Sequence, residues 1–402
     1  MCKDTPRTQP SATLLPPAPC PIETLLIPPH LNGRTGTNRA QNALTQIAAQ
    51  NDLDAIHAWL GRFVDKKTTF DNYRKEAERL LLWSLLHLGK PLSSLSHKDL
   101  LLYQHFLPHP QPVAQWTSNG GRKHPRADPR WRPFYGPLSA TSQRQAWVIL
   151  NVMFAWLVQA GYLAGNPLSL SRQRTRRAKP RVTHYLSPAL WLVKKWIPSM
   201  PHETDREREH AVRMRWLFTL LYLGGLRITE VATNTMGGFF CRRDANGVDR
   251  WWLEVLGKGD RERLVPATAE MMAELVTYRH QQGLPPLPLP HEDTPLILPI
   301  GQSRKPLTRA ALHLIVKQVF SGAAQALRAR GDEYMQPADQ LELASAHWLR
   351  HSAGSNMADQ QVDLRLVRDN LGHASLTTTS QYLHADDDRR HKETDEKHRI
   401  GW

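Results

Sequence analysis

The stretch LGHASLTTTSQYLH, residues 371–384, places His373 after a Leu-Gly turn and Tyr382 nine residues further on, with a Ser/Thr run between them. A phenol in so polar a setting can pack its ring, or it can act as a nucleophile once a neighbour takes its proton. Three more stretches join reactive side chains to sharp local breaks. In GGLRITEV, 224–231, two glycines interrupt an apolar helix, Arg227 opens the next helix and Glu230 follows a turn later; an ordinary surface Arg–Glu pair is the alternative. Lys258 stands between Gly257 and Gly259 at a hairpin tip, where it can reach into a groove or merely face solvent. In SAHWLRHSAGS, 345–355, His347 and Arg350 are three apart and share a helix face. His351 is four from His347, which permits a two-histidine metal site. No carboxylate stands between the histidines as in H-E-x-x-H, and His351 reads as structural. Two arginines, two histidines, a lysine and a tyrosine together are what attack on a phosphodiester needs when no metal assists.

Composition agrees with such a target. The 402 residues suffice for two or three domains, and 41% are hydrophobic, enough for a sizeable core. Lys and Arg number 52 against 37 Asp and Glu, a net charge of +15 that favours a polyanionic partner, nucleic acid above all. A membrane partner is disfavoured: no run of 18 apolar residues and no basic amphipathic anchor stands out. The three cysteines, Cys2, Cys20 and Cys241, form neither a disulfide framework nor zinc-finger spacing. With no signal-peptide pattern at the start, a cytoplasmic protein is expected, nucleoid-associated when bound to DNA.

The elements that must position these residues fall into a mainly α fold with a small antiparallel β-sheet. Residues 1–47 are Pro-rich and read as a flexible, extended segment that can also dock on a neighbour. Residues 48–168 read as a helical domain. Tyr73, Ala77, Leu80, Leu81, Leu85 and Leu88 share one face of a helix that stops at Gly89 and Pro91. Ser96 and Asp99 are spaced as a capping box. Trp147, Leu150, Phe154, Leu157 and Val158 form the stripe of another long helix, with Gly161 as its stop. Between these helices, the insertion 109–137 carries Arg122, Lys123, Arg126, Arg130 and Arg132 against Asp128, interleaved with Trp116, Trp131, Phe134 and Tyr135. Such a loop either tracks phosphates and stacks on bases or folds its aromatics back on the domain. A linker, 169–185, holds Arg172, Arg174, Arg176, Arg177, Lys179 and Arg181, and is expected to lie along DNA. Residues 186–402 form the larger unit, mostly helical, with two strands at 250–256 and 262–266 and a charged C-terminal tail.

The sequence resembles the tyrosine recombinases, the phage integrase family of DNA strand-exchange enzymes. Arg227, Lys258, His347, Arg350, His373 and Tyr382 match the family's catalytic set in type, order and spacing. The match is strong over roughly 186–385 and looser over 48–168, which corresponds to the helical core-binding domain; the insertion and the Pro-rich segment fall outside it. The resemblance implies that Arg227 and Arg350 grip the nonbridging oxygens, His373 hydrogen-bonds one of them, Lys258 protonates the leaving 5′-hydroxyl and Tyr382 forms a 3′-phosphotyrosyl link. His347 would act as base or only bond the phosphate, with Glu230 supporting the arginines from behind. Double-stranded DNA is the implied partner and a tetramer on paired sites the implied assembly, alone or with related recombinases. No cofactor and no metal are implied, and no G-x-x-x-x-G-K-[ST] loop occurs. Integration, excision or transposition of a mobile element is the expected service. A topoisomerase-like nicking and resealing enzyme, a non-catalytic DNA-binding regulator and a metal-dependent nuclease built on His347 and His351 are the alternatives.

Overall fold

Several helices begin where short polar side chains take up backbone N–H groups that have no partner within the helix. In this computed structural model the described residues are 15–16, 18–41, 45–171, 192–257, 261–301 and 305–379. Lys258, Tyr382 and the linker residues Arg172, Arg174, Arg176, Arg177, Lys179 and Arg181 lie outside them. The chain divides into two compact units, Met1–Thr175 and Arg176–Trp402.

The first unit is helical. Asn51 caps α1 (Asp52–Gly61), and α2 (Lys67–Leu86) follows. The box formed by Ser96 and Asp99 opens α3 (His97–Phe106), as its spacing predicts. After a short α4 (Val113–Trp116), Ser139 caps α5 (Ala140–Gln159). The stripe Trp147, Leu150, Phe154 and Leu157 is buried, and Gly161 leaves the helix at φ 69°. Burial along α2 goes beyond one face: 76–85 is enclosed on all sides, Glu76, Glu78 and Arg79 included. Buried charges persist only with partners. Arg79 donates to Glu76 Oε1 at 3.1 Å, and Arg126 bonds both oxygens of Glu78.

These partners correct one expectation and choose between two readings of another stretch. The Pro-rich segment, expected as flexible, is docked over much of its described length: Ile22, Leu25 and Leu31 join the first unit's core, and the Ile22 N–H donates to Glu78 Oε1 at 2.9 Å. Prolines restrict the free chain, so docking it sacrifices less conformational entropy than the composition suggests. The insertion likewise folds inward. Trp116, Trp131 and Phe134 are buried, Arg79 donates to Pro133 O at 2.8 Å, and its guanidinium lies 4.4 Å from the Phe134 ring centroid. Arg126 joins Glu23 of the N-terminal segment to Glu78, Arg130 pairs with Asp128 at 2.8 Å, and Arg132 donates to the carbonyls of Pro129 and Trp131. Arg122 and Lys123 stay exposed, and of the four aromatics only Tyr135 does.

The second unit carries α6 (Leu192–Trp196), α7 (Asp205–Tyr222) and α8 (Ile228–Thr233), then the strands β1 (Phe239–Arg243), β2 (Asp249–Leu256) and β3 (Glu262–Pro266). They make an antiparallel sheet in the order β1-β2-β3, with Leu253 opposite both Phe239 and Val265. The first strand is one the sequence reading did not mark. Among the described residues six α-helices follow: α9 (Ala269–Gln281), α10 (Arg309–Arg328), α11 (Met335–Leu343), α12 (Ala346–Asp359), α13 (Leu364–Leu371) and α14 (Leu376–Thr379). Trp216, Leu217, Leu220 and Leu221 of α7 meet Met271, Leu275 and Tyr278 of α9, Phe320 of α10 and the inner face of the sheet in one core. The fold is mainly α with one small antiparallel sheet. No helix among the described residues is long and apolar enough to cross a membrane.

If the insertion belongs to the core, Phe134→Ala is expected to destabilise the protein by about 3–5 kcal/mol in urea unfolding. A loss below about 0.5 kcal/mol is what a solvated loop would give.

Candidate active site

The turn between α7 and α8 is where the second unit starts to assemble a site. Gly225 sits at φ 55°, and a Cβ there would meet Leu371 Cδ2 at 2.7 Å. Only glycine combines that left-handed backbone with so close an approach. The turn thus seats against the end of α13, and it delivers Arg227 to the N-cap of α8. Glu230, 2% exposed, closes a reciprocal cap there: its Oε2 accepts the Arg227 backbone N–H at 2.8 Å and its Oε1 accepts Arg227 Nη1 at 2.8 Å.

A second cation shares that carboxylate. Arg263, on β3, donates from Nη1 to Glu230 Oε1 at 2.7 Å and from Nη2 to Oε2 at 2.9 Å. Burial alone would push the Glu230 carboxyl up. The two hydrogen bonds and the charge of Arg263, with Arg227 behind them, reverse this and hold it at about 2. The sequence reading missed Arg263. Its signal was period-two parity: Arg263 and the buried Val265 face the same way along β3, opposite Val255 and Leu253.

Arg263 also reaches the third element. Its Nε donates to Asn370 O at 3.2 Å, and its Cδ lies where a Cβ on Gly372 would come within 2.7 Å. Gly372 ends α13 at φ 60°, and its carbonyl accepts Arg227 Nη2 at 3.3 Å. His373 follows directly. Its Nδ1 lies 3.1 Å from the hydroxyl of the buried Thr379 on α14, another residue not singled out beforehand. The His373 ring is pushed down to about 4, first by burial and then by the charges of Arg350, Arg227, Arg263 and His347. It is therefore neutral near pH 7.

Arg350, on α12 and 2% exposed, donates from Nη1 to Gly225 O and from Nη2 to Leu371 O. It stitches the glycine turn to the end of α13. His347, one turn earlier, is exposed and meets His351 edge-on, with ring centroids 4.1 Å apart. Among the described residues no group of three His, Cys, Asp or Glu side chains could hold a metal ion.

Asn234, one residue past α8, fixes the sheet to this assembly. Its Oδ1 accepts the Leu256 N–H at 2.8 Å, and its Nδ2 donates to Leu256 O at 3.1 Å and to Glu230 O at 2.9 Å. The strand end that leads in sequence to Lys258 is thus tied to the helix bearing Glu230. The result is a cleft of about 700 Å³ lined by Arg227, Arg261, Arg263, Arg368 and His373, with Glu262 and Asp369 as the acids on its wall. An anion with several acceptor oxygens suits such a lining. Of the six expected catalytic residues, Arg227 and His373 line this cleft from positions more than a hundred residues apart, Arg350 ties together the turn before Arg227 and the helix end before His373, and the charges of Arg350 and His347 act on His373.

Residues 191–389 match the model of the phage integrase family. Over 244 residues the chain is 28% identical to the tyrosine recombinase XerD of Neisseria meningitidis serogroup B, covering 61% of this chain and 72% of that one. Over 254 residues it is 28% identical to the tyrosine recombinase XerC of Xylella fastidiosa, covering 62% and 71%. Among solved structures, the XerH site-specific recombinase bound to palindromic difH substrate aligns over 96% of this chain and 100% of that one, with TM-score 0.57 at 18% identity. The Tn1549 transposon integrase in complex with transposon right end DNA aligns over 86% and 99%, with TM-score 0.53 at 14% identity. These two similarities speak to the fold. With the family match spanning the glycine turn, the sheet, α12 and the stretch 371–384, the chain belongs to the tyrosine recombinases of the phage integrase family, the site-specific DNA recombinases.

Proposed function

We infer that this protein cuts and rejoins double-stranded DNA through a 3′-phosphotyrosyl intermediate. The observation that carries the reading is a cleft lined by Arg227 and His373, with Glu230 buried behind Arg227, Arg350 tied to the turn and the helix end that bear them, and the charges of Arg350 and His347 acting on His373. The phenolic oxygen of Tyr382 bonds to phosphorus as the P–O5′ bond breaks. The phenol's proton passes to a base, with His347 in that role, and Lys258 gives a proton to the departing 5′-oxygen. Charge that builds on the nonbridging oxygens is met by the guanidinium forks and by an N–H of neutral His373. Attack by a second 5′-hydroxyl on the phosphotyrosyl ester reverses the step, so rejoining conserves the bond and consumes no nucleotide.

Exchange between two duplexes takes four active sites, and a tetramer on paired sites is the assembly we propose, with part of the charged tail after Tyr382 meeting a neighbouring protomer. The helical unit and the basic linker would hold the duplex, chiefly through phosphates. Within the insertion, exposed Arg122 and Lys123 suit that contact better than Arg126, Arg130 and Arg132, which are engaged within the unit. A transposon integrase is among the proteins of similar fold, and service to a mobile element in the cytoplasm is the role we propose.

The direct test uses a duplex that the protein selects from random-sequence DNA, nicked a few nucleotides 3′ of the cleavage position so that the freed strand diffuses away. Wild type is expected to accumulate a covalent protein–DNA adduct and Tyr382→Phe none; an adduct with the phenylalanine variant contradicts the reading. If Lys258 is the acid, Lys258→Ala is expected to lose about 10²–10⁴-fold in cleavage of ordinary DNA and to recover most of it on a substrate with sulfur at the 5′-bridging position, because a thiolate leaves without a proton.

His373 gives a pH test. Its folded value of about 4 lies below the ordinary histidine value of about 6.5. Between these limits the unfolded chain binds a proton that the folded one refuses, so stability falls as pH drops through that window. Between pH 7 and 5 the wild type is therefore expected to lose more of its melting temperature than His373→Asn. Equal losses would show that the ring is not held neutral by its surroundings.

A further inference from the structure

The recombinase reading accounts for Arg227 but not for the second arginine on Glu230. Three charges meet there: Arg227, Glu230 and Arg263, with Glu230 2% exposed and the Arg263 side chain 9% exposed. Arg263 grips both carboxylate oxygens, whereas the Arg227 side chain meets only Oε1 through one terminal nitrogen and is 37% exposed on the cleft. The pairing is unequal. The deep, bidentate partner neutralises the carboxylate, and the shallow partner keeps most of its charge for whatever enters the cleft.

We propose that Arg263 is a positioning residue for the strand-cleavage step: by neutralising Glu230 it leaves the Arg227 charge uncompensated at the phosphodiester. Without Arg263, Glu230 would have Arg227 as its cation, and the pair would be neutral where the reaction needs a positive charge. Arg263 also braces the other side of the phosphate site, through its hydrogen bond to Asn370 O and its packing on Gly372, directly before His373. The trio carries a net charge of about +1 in the native arrangement and about zero in Arg263→Gln. It returns to about +1 in the double variant Arg263→Gln with Glu230→Gln, since carboxylates ionise and guanidiniums stay charged at neutral pH.

This inference rests on the phosphodiester reading above, and the test separates the two. Single-turnover adduct formation is followed on the nicked, selected duplex at saturating protein. The amplitude reports the folded, competent fraction, and the rate constant reports the step itself. Arg263→Gln is expected to lower the rate constant about 10²-fold while a gel shift shows DNA affinity changed less than about threefold, because many other phosphate contacts remain. The double variant is expected to react at least about tenfold faster than Arg263→Gln, because it restores the charge balance. Arg263→Lys, a point charge that cannot span both oxygens, should fall between wild type and Arg263→Gln. A substrate with a methylphosphonate at the cleavage position, one negative charge fewer, should narrow the gap between wild type and Arg263→Gln. A purely architectural arginine would change amplitude and melting temperature but leave the rate constant at the wild-type value; that result overturns the proposal, as does a double variant no faster than Arg263→Gln. If wild type itself forms no adduct, the recombinase reading fails instead.

Discussion

A single buried carboxylate organises the catalytic unit's site. Glu230 caps α8 from within, holds Arg227 at the helix start and takes the fork of Arg263 from the sheet. An unpaired carboxylate at that depth would cost several kcal/mol, so the start of α8 and the sheet, which supply its partners, are bound to each other through it. Arg350 supplies a second tie, from α12 to the glycine turn and the end of α13. Between them these contacts fix where the cleft is and which cations face it.

The same electrostatics divides the labour among the basic residues. Some cations are spent inside the fold: Arg79 on Glu76, Arg126 on Glu78 and Glu23, Arg263 on Glu230. Others remain where an anion can reach them, Arg227 on the cleft and Arg122 and Lys123 on the insertion. A net charge of +15 therefore overstates how evenly the protein is prepared to meet a polyanion. His373 shows the reverse effect. Held among cations and partly buried, it is kept neutral at pH 7 and can serve as a hydrogen-bond donor without adding charge.

Much of the site was legible in the sequence because its members stand at local punctuation: Arg227 after a glycine pair, His373 after a helix-ending glycine, His347 and Arg350 three apart on one helix face. The capping box at Ser96 and Asp99 was legible for the same reason, since both partners lie within one turn. What was not legible is non-local. Arg263 bonds Glu230 across 33 residues and Asn370 across 107, and neither pairing leaves a trace in the spacing. Thr379, behind His373, stood in a Ser/Thr run with nothing to set it apart. The insertion was ambiguous for a related reason: arginines beside tryptophans suit a DNA-facing loop and an inward-folded one equally, and the buried acids Glu76 and Glu78 that decide the matter sit on α2. The docked Pro-rich segment depends on Glu78 too, directly through the Ile22 N–H and indirectly through Arg126, which bonds both Glu78 and Glu23.

The most direct measurement is a crystal structure of the Tyr382→Phe protein on its selected duplex. The nonbridging oxygens of the scissile phosphate are expected within hydrogen-bonding distance, about 2.7–3.2 Å, of Arg227, Arg350 and His373, with Arg263 still holding both oxygens of Glu230. A scissile phosphate seated elsewhere, or an Arg227 folded back fully onto Glu230 while the DNA is bound, would contradict the assignment of this cleft as the place where the strand is cut.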